Sequence, residues 1–133
     1  MIIKKVKYLF IFIFVLTFIT KSHSLEPNIF VQSTVNRASQ ILSDNISKES
    51  KIEELKKVAM DTVDIRGIGF YTLGKFRKNL SDEQKQKYSE LFKEYFLKSF
   101  SSRLAEYSNP KIDVQSQEKL SDTYTIVSSI LVA

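Results

Sequence analysis

Few side chains in this sequence could carry out catalysis. The 133 residues include no Cys and a single His, His23. Nucleophilic catalysis by Ser–His–Asp or Cys–His, and metal sites built on Cys or His, need side chains that are almost absent here. Two carboxylate pairs remain as candidates for acid–base chemistry: Asp61 with Asp64, and Glu53 beside Glu54.

Each carboxylate pair has a structural explanation. Asp64 precedes a helical pattern that it can cap, and Glu53 and Glu54 belong to the solvated face of a predicted helix. Nothing polar converges on either pair, so the sequence does not indicate general acid–base chemistry. We therefore expect a protein that is not an enzyme and that requires no metal and no cofactor.

The first 24 residues have the three parts of a secretory signal peptide. Met1–Lys7 is basic, Tyr8–Ile19 is an almost continuous apolar run, and the small residues Ser22 and Ser24 precede Leu25. The run is shorter than the ~20 apolar residues of a membrane-spanning helix. We predict an exported protein cleaved after Ser24, with a retained membrane anchor as the alternative. Cleavage also removes His23.

The positive net charge comes mostly from this leader. The whole chain carries 20 basic and 15 acidic residues, a formal charge of +5. Four of the lysines lie in the first 24 residues, which contain no acid, so 16 basic residues face 15 acids in the remainder. The mature chain is nearly neutral and has no basic stripe, which argues against a nucleic-acid partner.

Apolar residues at helical spacing predict four helices after the leader. The first starts near Asn28, and the second starts at a capping box, Ser50 to Glu53. A short buried helix follows across Asp64–Gly74, where small glycines permit close approach and Gly74 ends the helix in the left-handed conformation. A second capping box, Ser81 to Gln84, opens a long helix that is predicted to reach about Tyr107.

The long helix carries an unusually aromatic face. Apolar side chains recur along it at Tyr88, Leu91, Phe92, Tyr95, Phe96, Phe100, Leu104 and Tyr107. Such a stripe is most often ordinary core, but so much aromatic surface in a small domain is also what a pocket for an apolar ligand would need. Both interpretations stay open at the level of sequence.

The character of the sequence changes after Asn109-Pro110. Ile112 and Val114 alternate with polar residues, Lys119–Asp122 reads as a turn, and Tyr124–Val132 is rich in β-branched residues. Two such segments joined by a short turn predict an antiparallel hairpin. Helices followed by strands predict an α+β domain over residues 25–133.

The order and spacing of several of these segments resemble the MlaC family over about Phe30 to Val132. The segments are Val63-Asp64, Tyr71-Thr72-Leu73-Gly74-Lys75-Phe76-Arg77, Ser81-Asp82-Glu83-Gln84 and the helix with Phe92, Tyr95 and Phe96. The family comprises periplasmic phospholipid-binding proteins, also called toluene-tolerance proteins, of the pathway that maintains outer-membrane lipid asymmetry. The resemblance implies a helical layer over a curved sheet, with acyl chains between the two layers.

By this resemblance the chain is expected in the periplasm, where it would carry phospholipid between an outer-membrane lipoprotein complex and an inner-membrane ABC transporter. Two sets of residues are expected to face each other around the lipid. The helical set is Phe70, Leu73, Phe92, Phe96 and Phe100, and the strand set is Ile112, Val114, Ile126 and Ile130.

The resemblance also implies further strands and closing helices beyond the point that matches Ala133. The alternative to a lipid carrier is therefore an incomplete fragment, inactive alone or completed by another chain. Because Tyr124–Val132 contains no charge and no Pro, we expect this strand to promote self-association if it is left uncovered.

Overall fold

The computed structural model describes residues 25–132, so the predicted signal peptide lies outside the described residues. This part of the chain forms four α-helices, a 3-10 helix and one hairpin. They are α1 (Pro27–Ser43), α2 (Lys48–Thr62), α3 (Ile65–Thr72), the 3-10 helix (Gly74–Asn79), α4 (Asp82–Leu104), β1 (Lys111–Ser121) and β2 (Tyr124–Val132). The predicted α+β class, helices first and strands afterwards, is confirmed. Within residues 25–132, none of the helices combines the length and apolar character that a bilayer crossing requires.

Side-chain caps define where three of the helices begin. The Ser81 hydroxyl accepts from Gln84 N–H at 3.2 Å, and the Gln84 amide oxygen accepts from Ser81 N–H at 2.9 Å, which confirms this capping box. Asp64 caps α3 by accepting from Gly67 N–H at 2.9 Å, also as predicted.

The predicted capping box at Ser50 is wrong, because α2 begins one turn earlier. Its N-cap is Ser47, whose hydroxyl accepts from Ser50 N–H at 3.1 Å. Ser47 and Ser50 carry the same hydroxyl group three residues apart, and only Ser50 is followed by a Glu three residues later, so the capping-box pattern favours the wrong serine. Sequence periodicity alone does not separate two such caps.

The short helix α3 lies close to α4 and ends at a left-handed glycine. Gly69 is buried against the ring of Phe92, where a Cβ would stand 2.8 Å from Phe92 Cδ1. Gly74 follows the C-cap residue Leu73 and has a φ of +52°, as predicted for a helix-ending glycine.

The helices share a core centred on α2. The helix α1 packs on one side of α2, while α4 packs against both α2 and α3. The buried apolar side chains are Leu42, Leu55, Val58, Ala59, Ile65 and Leu97. Ser101 is fully buried on α4 and donates its hydroxyl to the Leu97 carbonyl at 2.6 Å, so its polar group is satisfied.

The hairpin packs on α1 through one face. Ile112 pairs with Leu131 and Val114 with Ser129, and a bulge follows in β1 before Gln117 pairs with Val127. Because paired residues of an antiparallel ladder share a face, these side chains lie on one face. It is the face toward α1, since Ile112, Val114 and Val127 are half-buried on it, although Leu131 at its edge is 43% exposed. Asn28 N–H donates to the Gln117 side-chain oxygen at 3.3 Å across this contact.

The structure corrects the predicted faces of the second strand. Ile126 and Ile130 lie on the opposite face from Ile112 and Val114, and they are 40% and 54% exposed. The half-buried apolar position of β2 on the inner face is Val127. Side chains alternate with a period of two, so an error of one residue in phase exchanges the two faces.

The two layers also pack differently from the prediction. The hairpin was expected to lie against the aromatic helix, but its main packing partner is α1, whereas α4 packs on α2 and α3. The expected turn at Lys119–Asp122 is also shorter, because β1 continues to Ser121 and only two residues connect the strands. The helix α4 ends at Leu104, three residues before the predicted end.

Candidate lipid-binding surface

Four of the five aromatic side chains of α4 form one continuous row. Tyr88, Phe92, Phe96 and Phe100 are spaced four residues apart, which places them on the same side of the helix. The distances between successive ring centroids along the row are 5.9, 6.2 and 5.5 Å. The last two rings are nearly parallel, with an interplanar angle of 9°.

One side of this row rests on the helical core. Phe92, Phe96 and Phe100 pack against a cluster made of Ala59, Ile65 and Leu97. Each of the three rings is nevertheless only half-buried. The row therefore contributes both to the core and to the accessible surface, and its role in binding an apolar ligand stays a prediction.

The structure brings together only part of the predicted site. Phe92, Phe96 and Phe100 are contiguous on α4, and Ile112 and Val114 share the inner face of the hairpin, half-buried. These two groups belong to different packing contacts, because the hairpin packs mainly on α1 whereas α4 packs on α2 and α3.

The remaining predicted residues occupy other surfaces. Phe70 on α3 is half-buried beneath the Arg66 guanidinium, whose carbon lies 5.3 Å from the ring centroid. Leu73 is half-buried at the end of α3. Ile126 and Ile130 lie on the outer face of the hairpin, where they form an exposed apolar strip with Tyr124 and Val132.

A groove that the sequence analysis did not identify lies beside Phe70. It has a volume of about 800 Å³ and is formed by α3, the 3-10 helix and the first turns of α4. Its charged lining residues are Arg66, Arg77, Lys78, Asp82, Lys85 and Glu90. The concentration of basic residues from Arg66 to Lys78 was the one feature of the sequence that pointed to this groove. Only the folded chain brings these residues together with α4.

The carboxylates that were considered for catalysis have structural roles. Asp61 pairs with Arg37 at 2.8 Å and links α1 to α2, while Glu53 and Glu54 pair with lysines one turn further along α2. Across residues 25–132 no three potential metal ligands among His, Cys, Asp and Glu come together.

These features define a small α+β domain with a half-exposed aromatic row and a basic groove, a type of surface suited to binding an amphipathic molecule. The chain belongs to the MlaC protein family, whose sequence model matches residues 32–133.

A curated relative supports this membership. The chain is 28% identical over 128 residues to the intermembrane phospholipid transport system binding protein MlaC of Haemophilus influenzae. The match covers 87% of this chain but 58% of that relative, so the chain spans little more than half its length. No solved structure matches the chain.

Proposed function

We propose that this protein binds phospholipid as the binding component of an intermembrane phospholipid transport system. Membership of the MlaC family and the name of the relative support the class of function. The observation that carries the proposal is the row of Phe92, Phe96 and Phe100, three apolar rings in line that remain half-buried.

The row supplies what retention of an acyl chain requires. Removing apolar surface from water contributes about 25 cal/mol per Å², so an acyl chain laid along several aromatic rings is held without any specific polar contact. Binding of this kind involves no bond making or breaking. A binding protein rather than an enzyme is consistent with the structural roles of Asp61, Asp64, Glu53 and Glu54.

Residues 1–24 support a periplasmic location for this activity. We propose that they act as a signal peptide cleaved between Ser24 and Leu25, on the basis of their basic, apolar and small-residue segments. By resemblance to the MlaC family, the partners are an inner-membrane ABC transporter and an outer-membrane lipoprotein complex.

A second candidate role is that of a chain completed by another polypeptide. The exposed outer face of the hairpin favours it, since Ile126, Ile130 and Val132 are 40–54% exposed. Apolar side chains in such a patch are typical of a protein–protein contact. In this case the chain would bind lipid only after that face is covered.

Lipid extraction from protein purified without detergent tests the proposal. The full chain is expressed with its leader, isolated from the periplasmic fraction and analysed by mass spectrometry for stoichiometric phospholipid. A periplasmic protein that carries none, and that takes up none from vesicles, would refute lipid binding by this chain alone. Recovery of lipid binding only together with a second polypeptide would favour the second candidate.

A further inference from the structure

We propose that the groove beside Phe70 binds the phosphate of an anionic phospholipid headgroup. This inference rests on the proposed phospholipid function and adds to it a class of lipid. The groove is concave and has a volume of about 800 Å³, within the range of pockets that bind small molecules. Three elements separated in sequence contribute to it, namely α3, the 3-10 helix and α4.

The lining of the groove has a net charge of +2, because its two carboxylates offset two of its four basic side chains. Four basic side chains line it against two carboxylates, Asp82 and Glu90. Asp82 is paired with Lys85 at 3.2 Å, and Glu90 accepts a hydrogen bond from the Gln86 amide at 3.2 Å. Within residues 25–132, no carboxylate lies within ion-pair distance of Arg66, Arg77 or Lys78.

These three cations are suited to an oxyanion. A guanidinium presents a planar set of donors that matches the oxygens of a phosphate, and an ammonium adds a mobile point charge. The Arg66 guanidinium is positioned over the Phe70 ring, which restrains it while leaving its donors without a carboxylate. A concave surface with charges of one sign also raises the local concentration of the opposite ion.

The presence of Phe70 in the groove favours a lipid over a fully polar anion. Its ring is half-buried and lies among the basic side chains, so the groove offers an apolar contact beside the cations. An amphiphile has this combination, with a phosphodiester joined to a glycerol and acyl chains. A headgroup with a net negative charge, such as phosphatidylglycerol, matches the net positive charge of the groove better than a zwitterionic one.

Vesicle binding by the protein purified from the periplasm after export measures this preference. Wild-type protein is compared on phosphatidylcholine vesicles and on vesicles with one-third phosphatidylglycerol, at low and at physiological salt. The double variant Arg77→Ala/Lys78→Ala should lose about 30-fold of the affinity for anionic vesicles, since each basic residue near such a surface contributes about 5-fold. Binding to phosphatidylcholine should stay unchanged.

The matched control is Lys93→Ala/Lys98→Ala, which removes the same charge from exposed positions of α4 outside the groove. This control should retain most of the anionic preference. Dihexanoyl phosphatidylglycerol, a short-chain lipid used below its micelle-forming concentration, should displace the wild-type protein more effectively than inorganic phosphate, with chloride added to equal ionic strength. Displacement by inorganic phosphate to the same extent would assign the groove to free phosphate and overturn the lipid assignment.

Two further results would overturn the inference. Equal losses in both double variants would mean diffuse attraction by net charge, and binding to a polyglutamate peptide but to no vesicle would indicate an acidic protein partner. Extracted phospholipid is measured in parallel. If the protein binds lipid but shows no preference for anionic vesicles, the headgroup site in the groove is refuted and the carrier function is not. If it prefers anionic vesicles but carries and acquires no lipid, the proposed carrier function is refuted.

Discussion

Gly69 lies directly beneath the ring of Phe92, so closely that a Cβ on this glycine would stand 2.8 Å from Phe92 Cδ1 and 3.1 Å from Cγ. This contact joins α3 to α4 at the second ring of the aromatic row. Since the backbone of Gly69 is itself buried, the position of Phe92 depends on the absence of a side chain at residue 69.

We expect Gly69→Ala to destabilise the protein by about 1–3 kcal/mol, the usual cost of adding a methyl group to a packed contact. The ring of Phe92 must move or the helices must separate, so near-UV circular dichroism should change as well. Ile68→Ala, at an exposed position of the same helix, is the control and should have a small effect. A higher melting temperature for Gly69→Ala, which is what helix propensity alone would give, would contradict the observed contact.

Substitutions at two neighbouring residues of α4 allow lipid contact to be tested separately from core packing. Leu97 is buried, whereas Phe96 is half-buried, and both pack with the Ala59 and Ile65 cluster. Leu97→Ala should cost about 2–5 kcal/mol of stability, as for other buried leucines. Phe96→Ala should reduce retained phospholipid proportionally more than it reduces stability. The measurements are urea unfolding and quantified lipid extraction. Full lipid content with a loss of stability as large as that of Leu97→Ala would assign Phe96 to the core alone.

The sequence pattern and the structure disagree about which serine is the N-cap of α2, and two substitutions test this. Ser47→Ala should lower stability by about 1 kcal/mol, because the first turn loses its side-chain acceptor. Ser50→Ala should cost less, since it retains the backbone N–H that Ser47 caps and loses only the exposed hydrogen bond between the two hydroxyls at 3.0 Å. Thermal unfolding of the two variants decides between them, and a larger effect at Ser50 would support the box starting at that residue.

The outer face of the hairpin should promote self-association of the mature chain. β2 carries no charge and no Pro, and Ile130 is 54% exposed on this face. Ile130→Lys should shift the protein toward monomer in size-exclusion chromatography by adding a charge to the exposed strand. Ser128→Lys places the same charge on the same face and should act similarly. A wild-type chain that remains monomeric at high concentration would show that this face is not adhesive.

The leader can be tested independently of the fold. We expect the mature protein to begin at Leu25, which N-terminal sequencing of the periplasmic fraction would show. Ser24→Phe should slow processing, because signal cleavage requires a small residue at this position. A chain that still begins at Met1 and fractionates with membranes would indicate the retained anchor instead.

Local physics in the sequence determined most of the elements of this protein. The caps at Asp64 and Ser81 and the left-handed Gly74 depend on residues within one turn, and each of them was predicted correctly. The strand pattern around Ile112 and the run from Tyr124 likewise predicted the hairpin. Family membership is also read from the sequence, because it depends on the order and spacing of such segments along the chain.

Tertiary structure decided which surfaces these elements share. The face on which Ile126 and Ile130 lie depends on the register of the hairpin, including a bulge after Val114. A shift of one residue in that register would move both side chains to the opposite face. The packing of the hairpin on α1 and the meeting of Arg66 with Lys85 in one groove join parts of the chain that are distant in sequence. Periodicity reports which face of an element is apolar, but the partner of that face is a property of the whole packed chain.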